Sequence, residues 1–281
     1  MQVSSFREIA VRYKAIFFDA YGVLKNHRGI IPGVKELLDF LHEQDIHYYV
    51  MTNDASRGPE RLANSYHEKG IHRITADKVI SSGMLAREFL QNKVSKGTIA
   101  YLGTQTSAHY VRSVGLETVS IRDLSLDDAD SITALVLLDD EGFGWETDVN
   151  KAVNLLRQRN IPVVVANTDL TYPVSQDEVA IAIGGIANML EDIAGKRFMR
   201  FGKPDAQIFH YALEHVQRDL SISRDDILMV GDTLTTDILG GNKFGIDTAL
   251  TLTGNTLPHR AKYYIESLGI IPTYICKSVG T

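Results

Sequence analysis

The segment that decides the fold is Ile227-Leu228-Met229-Val230-Gly231-Asp232-Thr233-Leu234-Thr235-Thr236-Asp237. The apolar run 227–230 predicts a buried strand, and the pattern from Thr236 onward predicts a helix. Asp232 then lies at the carboxyl end of the strand, where open α/β sheets bind ligands. Asp232 and Asp237 can face one point there. Two hard oxygen ligands suit Mg²⁺, which usually also takes waters and substrate phosphate oxygens, so the segment predicts a magnesium site.

The composition is that of a globular protein. The 281 residues are 44% hydrophobic and 23% charged, enough for one large domain or two modest ones. Net charge is -6 and Lys and Arg are scattered, so we expect no nucleic-acid partner. No segment reaches the roughly 20 apolar residues of a membrane span, and no signal peptide is recognisable, so no membrane partner is expected. Cys276 is the single cysteine, which favours a reducing compartment; the predicted location is cytoplasmic.

Apolar runs alternate with helical patterns along the chain, which predicts an α/β fold. From about Lys93 the pattern restarts, so the middle block could be a separate α/β unit. Farther along, 179–183 predicts a strand that leads through Gly184-Gly185 into a helix. The other predicted strands include 15–18, 46–51, 98–102, 134–138, 162–166 and 248–252.

Asp19 is a third carboxylate at the end of a predicted strand. A carboxylate in this position, followed by a glycine turn, is well placed as a covalent nucleophile or a metal ligand. Gly22 permits the tight turn and would leave backbone N–H groups free for an anion. The alternative is that Asp19 merely caps the next turn, which is the commoner role of strand-end aspartates taken singly.

Two further segments carry donors for an anion. Thr52 and Asn53 end the second predicted strand, where a hydroxyl and an amide could donate to phosphate oxygens or cap the following helix. Lys203, in Gly202-Lys203-Pro204, could supply a point charge for phosphate and for the carboxylates. A solvated surface lysine is the alternative.

The order of these signals is more specific than any one of them. The chain has Asp at the end of the first strand, Thr at the end of the second, then Gly-Lys-Pro, and finally Gly-Asp with a further Asp. This order resembles that of the haloacid dehalogenase superfamily of aspartate-nucleophile hydrolases. The block between Asn53 and Lys203 resembles the α/β (type II) cap of one branch. That branch contains sugar phosphatases, 4-nitrophenylphosphatases and pyridoxal-phosphate phosphatases. The resemblance extends over about residues 13–275, and Ala166-Asn167-Thr168-Asp169 resembles the cap loop.

This resemblance implies a Rossmann-like parallel-sheet core with an inserted α/β cap domain. We expect the discontinuous core at 1–85 and 195–281 and the cap at 86–194. The active site would lie between them, with a small phosphorylated metabolite as partner. Asn167 and Asp169 are the candidates for substrate specificity in the cap, and a homodimer is expected by analogy with the branch.

The family also implies residue roles. Asp19 would attack phosphorus and form an aspartyl-phosphate, and Lys203 would stabilise the transferring charge. The implied Mg²⁺ ligands are Asp19, the backbone carbonyl of Tyr21, Asp232 and Asp237. The implied phosphate-binding residues are Gly22, Thr52, Asn53 and Lys203. The predicted function is Mg²⁺-dependent hydrolysis of a small phosphomonoester, with a sugar phosphate as the leading class.

Tyr21 departs from the family pattern, which has an acid–base Asp two residues after the nucleophile. A phenol with a pKa of about 10 is a poor general base at neutral pH, so we expect weakened catalysis. We hypothesise that Asp54 or Asp169 partly replaces the missing acid. Haloacid dehalogenases carry an aromatic residue here, so a hydrolase acting at carbon is one alternative. A catalytically weak phosphate-ligand binding protein is the other.

Overall fold

The structure is a computed structural model that describes residues 4–175 and 178–280. Its strands are β1 (Ala15–Phe18), β2 (Lys25–Asn26), β3 (Gly29–Ile30), β4 (His47–Thr52), β5 (Val79–Ser81), β6 (Thr98–Leu102), β7 (Glu117–Ser120), β8 (Ile132–Leu137), β9 (Val163–Val165), β10 (Thr171–Pro173), β11 (Val179–Ile181), β12 (Met199–Arg200), β13 (Ile227–Gly231), β14 (Asp247–Thr251) and β15 (Tyr274–Cys276). Its α-helices are α1 (Phe6–Ala10), α2 (Val34–Glu43), α3 (Pro59–His67), α4 (Ser82–Lys93), α5 (His109–Arg112), α6 (Asp148–Gln158), α7 (Ile183–Ala194), α8 (Ala206–Gln217), α9 (Leu239–Phe244) and α10 (Pro258–Leu268). Within the described ranges, no helix has both the length and the apolar character that a membrane crossing requires.

A six-stranded parallel sheet has the order β15-β14-β13-β1-β4-β5. β1 is central: Phe18 pairs with Val230 of β13 on one side and with Val50 of β4 on the other. Because these strands are parallel and in this register, their carboxyl ends meet at one edge. Asp19 and Asp232 follow two of them and come to that edge.

Both faces of this sheet are covered. Ala15 and Phe17 pack into one apolar cluster, while Ile16 and Phe18 pack into another on the opposite face. Burial on both faces explains why β1 is a continuous apolar run. Full burial of one large apolar side chain stabilises the fold by about 1.5–3 kcal/mol, so packing holds β1, and the residue after it, firmly in place.

A second sheet is parallel and five-stranded, in the order β12-β9-β8-β6-β7. One face packs on helices α6 and α7. The other shares an apolar cluster with the first sheet, through residues such as Tyr101 and Val136. β12 follows residue 194, the predicted end of the cap, and it pairs with β9 of the second sheet. Helix α4 continues across residue 85, the predicted end of the first core segment. The domain boundaries at these two residues stay a prediction.

A short hairpin lies between β9 and α7 along the chain. β10 and β11 pair antiparallel, with Thr171 opposite Ile181. The predicted strand 179–183 is wrong at its end, because the strand stops at Ile181 and α7 begins at Ile183. A Cβ on Gly184 would lie 2.5 Å from the carbonyl oxygen of Asp169, so glycine lets the start of α7 approach the cap loop.

Candidate active site

Asp19 follows β1, and its carboxylate contacts a buried lysine. Lys203 Nζ lies 2.6 Å from Asp19 Oδ1 and 2.7 Å from Asp237 Oδ1. The Lys203 side chain is 2% exposed, so the alternative of a solvated surface lysine is wrong. Burial alone would lower the pKa of Lys203, but the charges of Asp19 and Asp237 raise it above its ordinary value. The amine is therefore a fixed cation between two carboxylates.

Asp232 and Asp237 are both buried beside Asp19. One oxygen from each of the three carboxylates lies within 4.8 Å of the others. Burial raises the pKa of Asp232 well above its usual range, and the charges of Asp19 and Asp237 add to this. Burial also raises the pKa of Asp237 to about 7, although Lys203 opposes the shift. Three carboxylates against one ammonium concentrate negative charge, which favours a bound cation.

Hydrogen bonds from neighbouring residues fix the orientation of the Asp232 and Asp237 carboxylates. Thr233 donates from Oγ1 to Asp232 Oδ1 at 3.0 Å and from its backbone N–H to Asp237 Oδ2 at 3.1 Å. The Asn255 N–H donates to Asp232 Oδ2. The helix predicted from residue 236 begins earlier, as a π-helical turn at Leu234–Ile238 that contains Asp237. Such wide turns are frequent at functional sites.

Gly22 shapes the site through its lack of a side chain. Its N–H donates to the Lys25 carbonyl oxygen at 2.7 Å, so the prediction that this N–H is free for an anion is wrong. Its φ is +84°, and a Cβ would lie 2.2 Å from Asp232 Oδ2. Glycine is therefore what brings the loop after Asp19 against Asp232.

The phenol of Tyr21 contacts the hairpin. Tyr21 OH donates to the Pro173 carbonyl oxygen at 3.0 Å. Burial raises the pKa of Tyr21; a hydrogen bond with the His27 backbone opposes this shift, and the negative charge of Asp232 adds to it. The phenol thus stays protonated at neutral pH and cannot act as a general base there.

The side-chain amide of Asn53 contacts groups of the protein itself. Its Nδ2 lies within reach of three acceptors, Asp169 Oδ1 at 2.8 Å and Thr168 Oγ1 and the Lys203 carbonyl oxygen at 3.0 Å. Its Oδ1 accepts the Lys203 N–H at 2.7 Å. An amide with two hydrogens is saturated by these partners. The predicted donation from this side chain to phosphate is therefore wrong, and Asn53 instead positions Lys203 and the cap loop.

Thr52 keeps the capacity to bind an anion. Its Oγ1 accepts the Asp54 N–H at 3.1 Å, and a hydroxyl in that arrangement can donate its own hydrogen to a ligand. Asp54 Oδ1 accepts from Ser56 N–H and Oγ at 2.8 and 2.6 Å, so this carboxylate orders a turn.

Asn167 and Asp169 form a turn on the cap side. Asn167 Oδ1 accepts the Asp169 N–H at 2.9 Å. Burial raises the pKa of Asp169 to about 6, although Lys203 and Asn53 oppose the shift. A carboxyl group with this pKa exchanges protons near neutral pH, which is the property of a general acid or base.

A cavity of about 820 Å³ joins these groups, a size that suits a small metabolite. The predicted residues that line it are Asp19, Tyr21, Thr52, Asp54, Asn167, Asp169 and Lys203. Sequence reasoning missed further lining residues, Arg57, Arg61, Asp139, Asp140, Glu141 and Asn255. Their position in the sequence could have identified two of them, since Asp139 and Asn255 follow strands of the two sheets, as Asp19 does.

The chain matches known families over both of its ends. The sequence profile of a family described as haloacid dehalogenase-like hydrolase matches residues 16–117, and that of a family described as HAD-hydrolase-like matches residues 200–281. Acid sugar phosphatase from Staphylococcus saprophyticus is 27% identical over 95% of this chain and 96% of its own length.

Two solved structures are similar over nearly all of this chain. A possible sugar phosphatase of the HAD superfamily from Cytophaga hutchinsonii is 54% identical, with a TM-score of 0.96 over 100% of this chain and 99% of that one. A glycerol phosphate phosphatase from Mycobacterium tuberculosis, in complex with magnesium, is 26% identical, with a TM-score of 0.77 over 99% and 78%.

Proposed function

The chain belongs to the haloacid dehalogenase superfamily as a phosphoric monoester hydrolase, and we propose that it cleaves small phosphorylated metabolites, such as sugar phosphates, through Asp19 and with Mg²⁺. One observation carries this proposal. The ammonium of Lys203 lies 2.6 Å from the Asp19 carboxylate, at the wall of a cavity that also exposes Thr52. A nucleophile, a cation and a hydroxyl donor are what transfer of a phosphoryl group requires.

The residues present fit a magnesium ion. Asp19, Asp232 and Asp237 offer carboxylate oxygens close together, and their charge exceeds that of Lys203. Hard oxygen donors in this number suit Mg²⁺, which keeps waters and takes substrate oxygens as well. The backbone carbonyl of Tyr21 is proposed as a further ligand. When bound, the ion would neutralise charge on the phosphoryl oxygens.

The chain's own residues supply the transfer chemistry. An Asp19 oxygen would form a bond to phosphorus as the bond from phosphorus to the leaving oxygen breaks, giving an aspartyl-phosphate. Attack of water on that phosphorus would release phosphate and restore Asp19. Lys203 would keep Asp19 ionised and in line and would balance the transferring charge, while the Thr52 hydroxyl would donate to a phosphoryl oxygen.

Asp169 is proposed as the group that protonates the leaving oxygen. The Tyr21 phenol is engaged by Pro173, while Asp54 and Asp169 both line the cavity and each accepts hydrogen bonds through Oδ1, from Ser56 and from Asn53. Asp169 lines the same cavity as Asp19, and its pKa of about 6 leaves part of it protonated near neutral pH. This arrangement replaces the acid that the family places two residues after the nucleophile.

The proposal is tested by phosphate release from 4-nitrophenyl phosphate and a panel of sugar phosphates, in Mg²⁺ and in EDTA. We expect release in Mg²⁺ only, and a fall of about 10³-fold or more for Asp19→Asn, since this variant lacks the nucleophile. Asp127→Asn, at an exposed position on the second sheet's side, is the matched control and should keep wild-type activity.

The same assays separate the alternatives. Halide release from haloacids without metal would identify a hydrolase acting at carbon. Tight binding of sugar phosphates without turnover would identify a binding protein. An unchanged rate in Asp19→Asn would rule out Asp19 as the nucleophile. The homodimer and the cytoplasmic location stay predictions.

A further inference from the structure

The β10–β11 hairpin depends on outside contacts for its position. It is a two-stranded sheet with three residues in each strand, and such hairpins are marginally stable alone in water. Val179 and Ile181 of β11 are 62% and 51% exposed, so this strand buries little apolar surface.

The hydrogen bonds of two phenols attach β10 to neighbouring loops beside the cavity. The hairpin's own Tyr172 donates from OH to Asp140 Oδ2 at 3.0 Å, which joins β10 to the loop after β8. Tyr21 donates from OH to the Pro173 carbonyl oxygen at 3.0 Å, which joins β10 to the loop after β1. Thr171, Tyr172 and Pro173 all line the cavity that contains Asp19.

The loop that carries Tyr21 is held by contacts of the residues before and after Tyr21. Asp19 lies two residues before Tyr21 and contacts Lys203. Gly22 lies directly after it, against Asp232, in space that no Cβ could enter. A hydrogen bond from Tyr21 therefore attaches the hairpin to a part of the nucleophile loop that contacts hold on both sides.

We propose that Tyr21 is a positioning residue, whose phenol couples the nucleophile loop to the β10–β11 hairpin and holds β10 against the substrate cavity. In this chain the residue two positions after the nucleophile positions the substrate and does not transfer a proton. The proposal rests on the proposed function for its kinetic consequence. Its structural consequence, the coupling of two segments, does not depend on turnover.

Tyr21→Phe removes the hydroxyl and keeps the ring. Loss of one hydrogen bond should raise KM for sugar phosphates roughly three- to tenfold, because β10 lines the cavity in which the part of the substrate beyond the phosphate would lie. The inhibition constant of inorganic phosphate should stay within twofold of the wild-type value, since phosphate alone does not reach the hairpin. This difference separates a positioning role from general damage to the site.

Amide hydrogen exchange tests the coupling directly. In Tyr21→Phe, exchange should become faster both in 171–175 with 178–182 and in the loop 20–25. The matched control is Tyr172→Phe, which removes the contact with Asp140. It should accelerate exchange in the hairpin only. Tyr263→Phe, whose parent residue is 68% exposed, should alter neither segment.

Thermal unfolding establishes that each variant is folded, and Tyr21→Leu provides a second test if Tyr21→Phe is unstable. Joint acceleration in the hairpin and in 20–25 supports the proposal. Wild-type exchange in both segments of a folded Tyr21 variant overturns it. A wild-type protein that releases no phosphate but shows the joint change would refute the proposed function and leave the coupling standing.

Discussion

The side-chain amide of Asn53 determines where the charge of Lys203 lies. It accepts from the Lys203 N–H and donates toward the Lys203 carbonyl, so the backbone on both sides of that residue is held. Buried polar groups left without partners cost about 1–3 kcal/mol each, so loss of this amide would disturb several groups together. The partners are 150 residues apart in sequence. Their pairing depends on tertiary packing, which is why residue type alone suggested a phosphate ligand.

Asp169→Asn tests the proposed leaving-group acid. For alkyl phosphates, whose leaving groups need a proton, we expect kcat to fall by about 10²-fold or more. For 4-nitrophenyl phosphate, whose leaving group is a weak base, the fall should be much smaller. The wild-type rate on alkyl esters should decrease as pH rises through about 6, because the acid form of Asp169 is lost. The rate of the variant should not show this decrease.

The control for Asp169→Asn is Asp123→Asn, a substitution at an exposed position on the same side of the molecule. Rates for both classes of ester, measured from pH 5 to 9 at saturating Mg²⁺, complete the comparison. Equal losses for alkyl and aryl esters would mean that Asp169 has no part in protonating the leaving group.

At the scale of elements, the central strands were predictable, whereas β7 and the turn after β13 were not. β1 and β13 are continuous apolar runs that end in a carboxylate, because packing on both faces requires apolar side chains throughout. β7 was missed since it carries an exposed Glu117, two partly buried residues, and a buried Ser120 that is polar. The π-helical turn at Leu234–Ile238 was also missed, because its residues follow an ordinary helical pattern.

Gly22→Ala tests whether the turn after β1 sets the position of Asp232. Alanine at φ +84° is strained, and its Cβ would also collide with Asp232 Oδ2, 2.2 Å away. We expect a loss of about 1–3 kcal/mol from backbone strain, with a further loss from displacement of Asp232. The Mg²⁺ concentration needed for half-maximal activity should rise as well.

Gly115→Ala is a matched control, because Gly115 has the same φ of +84° and no atom lies within 4 Å of its Cβ position. It should show the strain alone, with unchanged Mg²⁺ dependence. Denaturant unfolding and Mg²⁺ titration of activity measure both effects. If the two variants are equally destabilised and equally responsive to Mg²⁺, the contact between Gly22 and Asp232 has no role in the site.

For the whole molecule, the site lies where two sheets pack together. The carboxyl ends of β1, β4 and β13 supply Asp19, Thr52 and Asp232, and this convergence could be inferred from sequence because parallel strands align their ends. The contacts between the sheets could not. The hydrogen bonds from Tyr21 to Pro173 and from Asn53 to Asp169 depend on how the second sheet and its loops are oriented, and no local pattern encodes that orientation.

Mg²⁺ should change the stability of the whole protein. Three carboxylates crowd one buried point, and a single lysine opposes them. Mg²⁺ bound only by the folded state stabilises it by mass action, by about 2.7 kcal/mol at a hundred times the dissociation constant. The wild-type protein should therefore be less stable in EDTA than in Mg²⁺, because in EDTA no cation neutralises the repulsion between the three carboxylates.

Asp232→Asn removes one of the repelling charges. Its amide can still accept the Asn255 N–H and can donate to Thr233 Oγ1, whose hydroxyl hydrogen rotates, so the local hydrogen bonds survive. We expect the variant to exceed wild type in free energy of unfolding in EDTA, and to gain little from Mg²⁺. Asp128→Asn, an exposed control, should behave as wild type in both conditions. If Asp232→Asn is destabilised in EDTA and stabilised by Mg²⁺ as much as wild type, Asp232 neither repels its neighbours nor binds the ion.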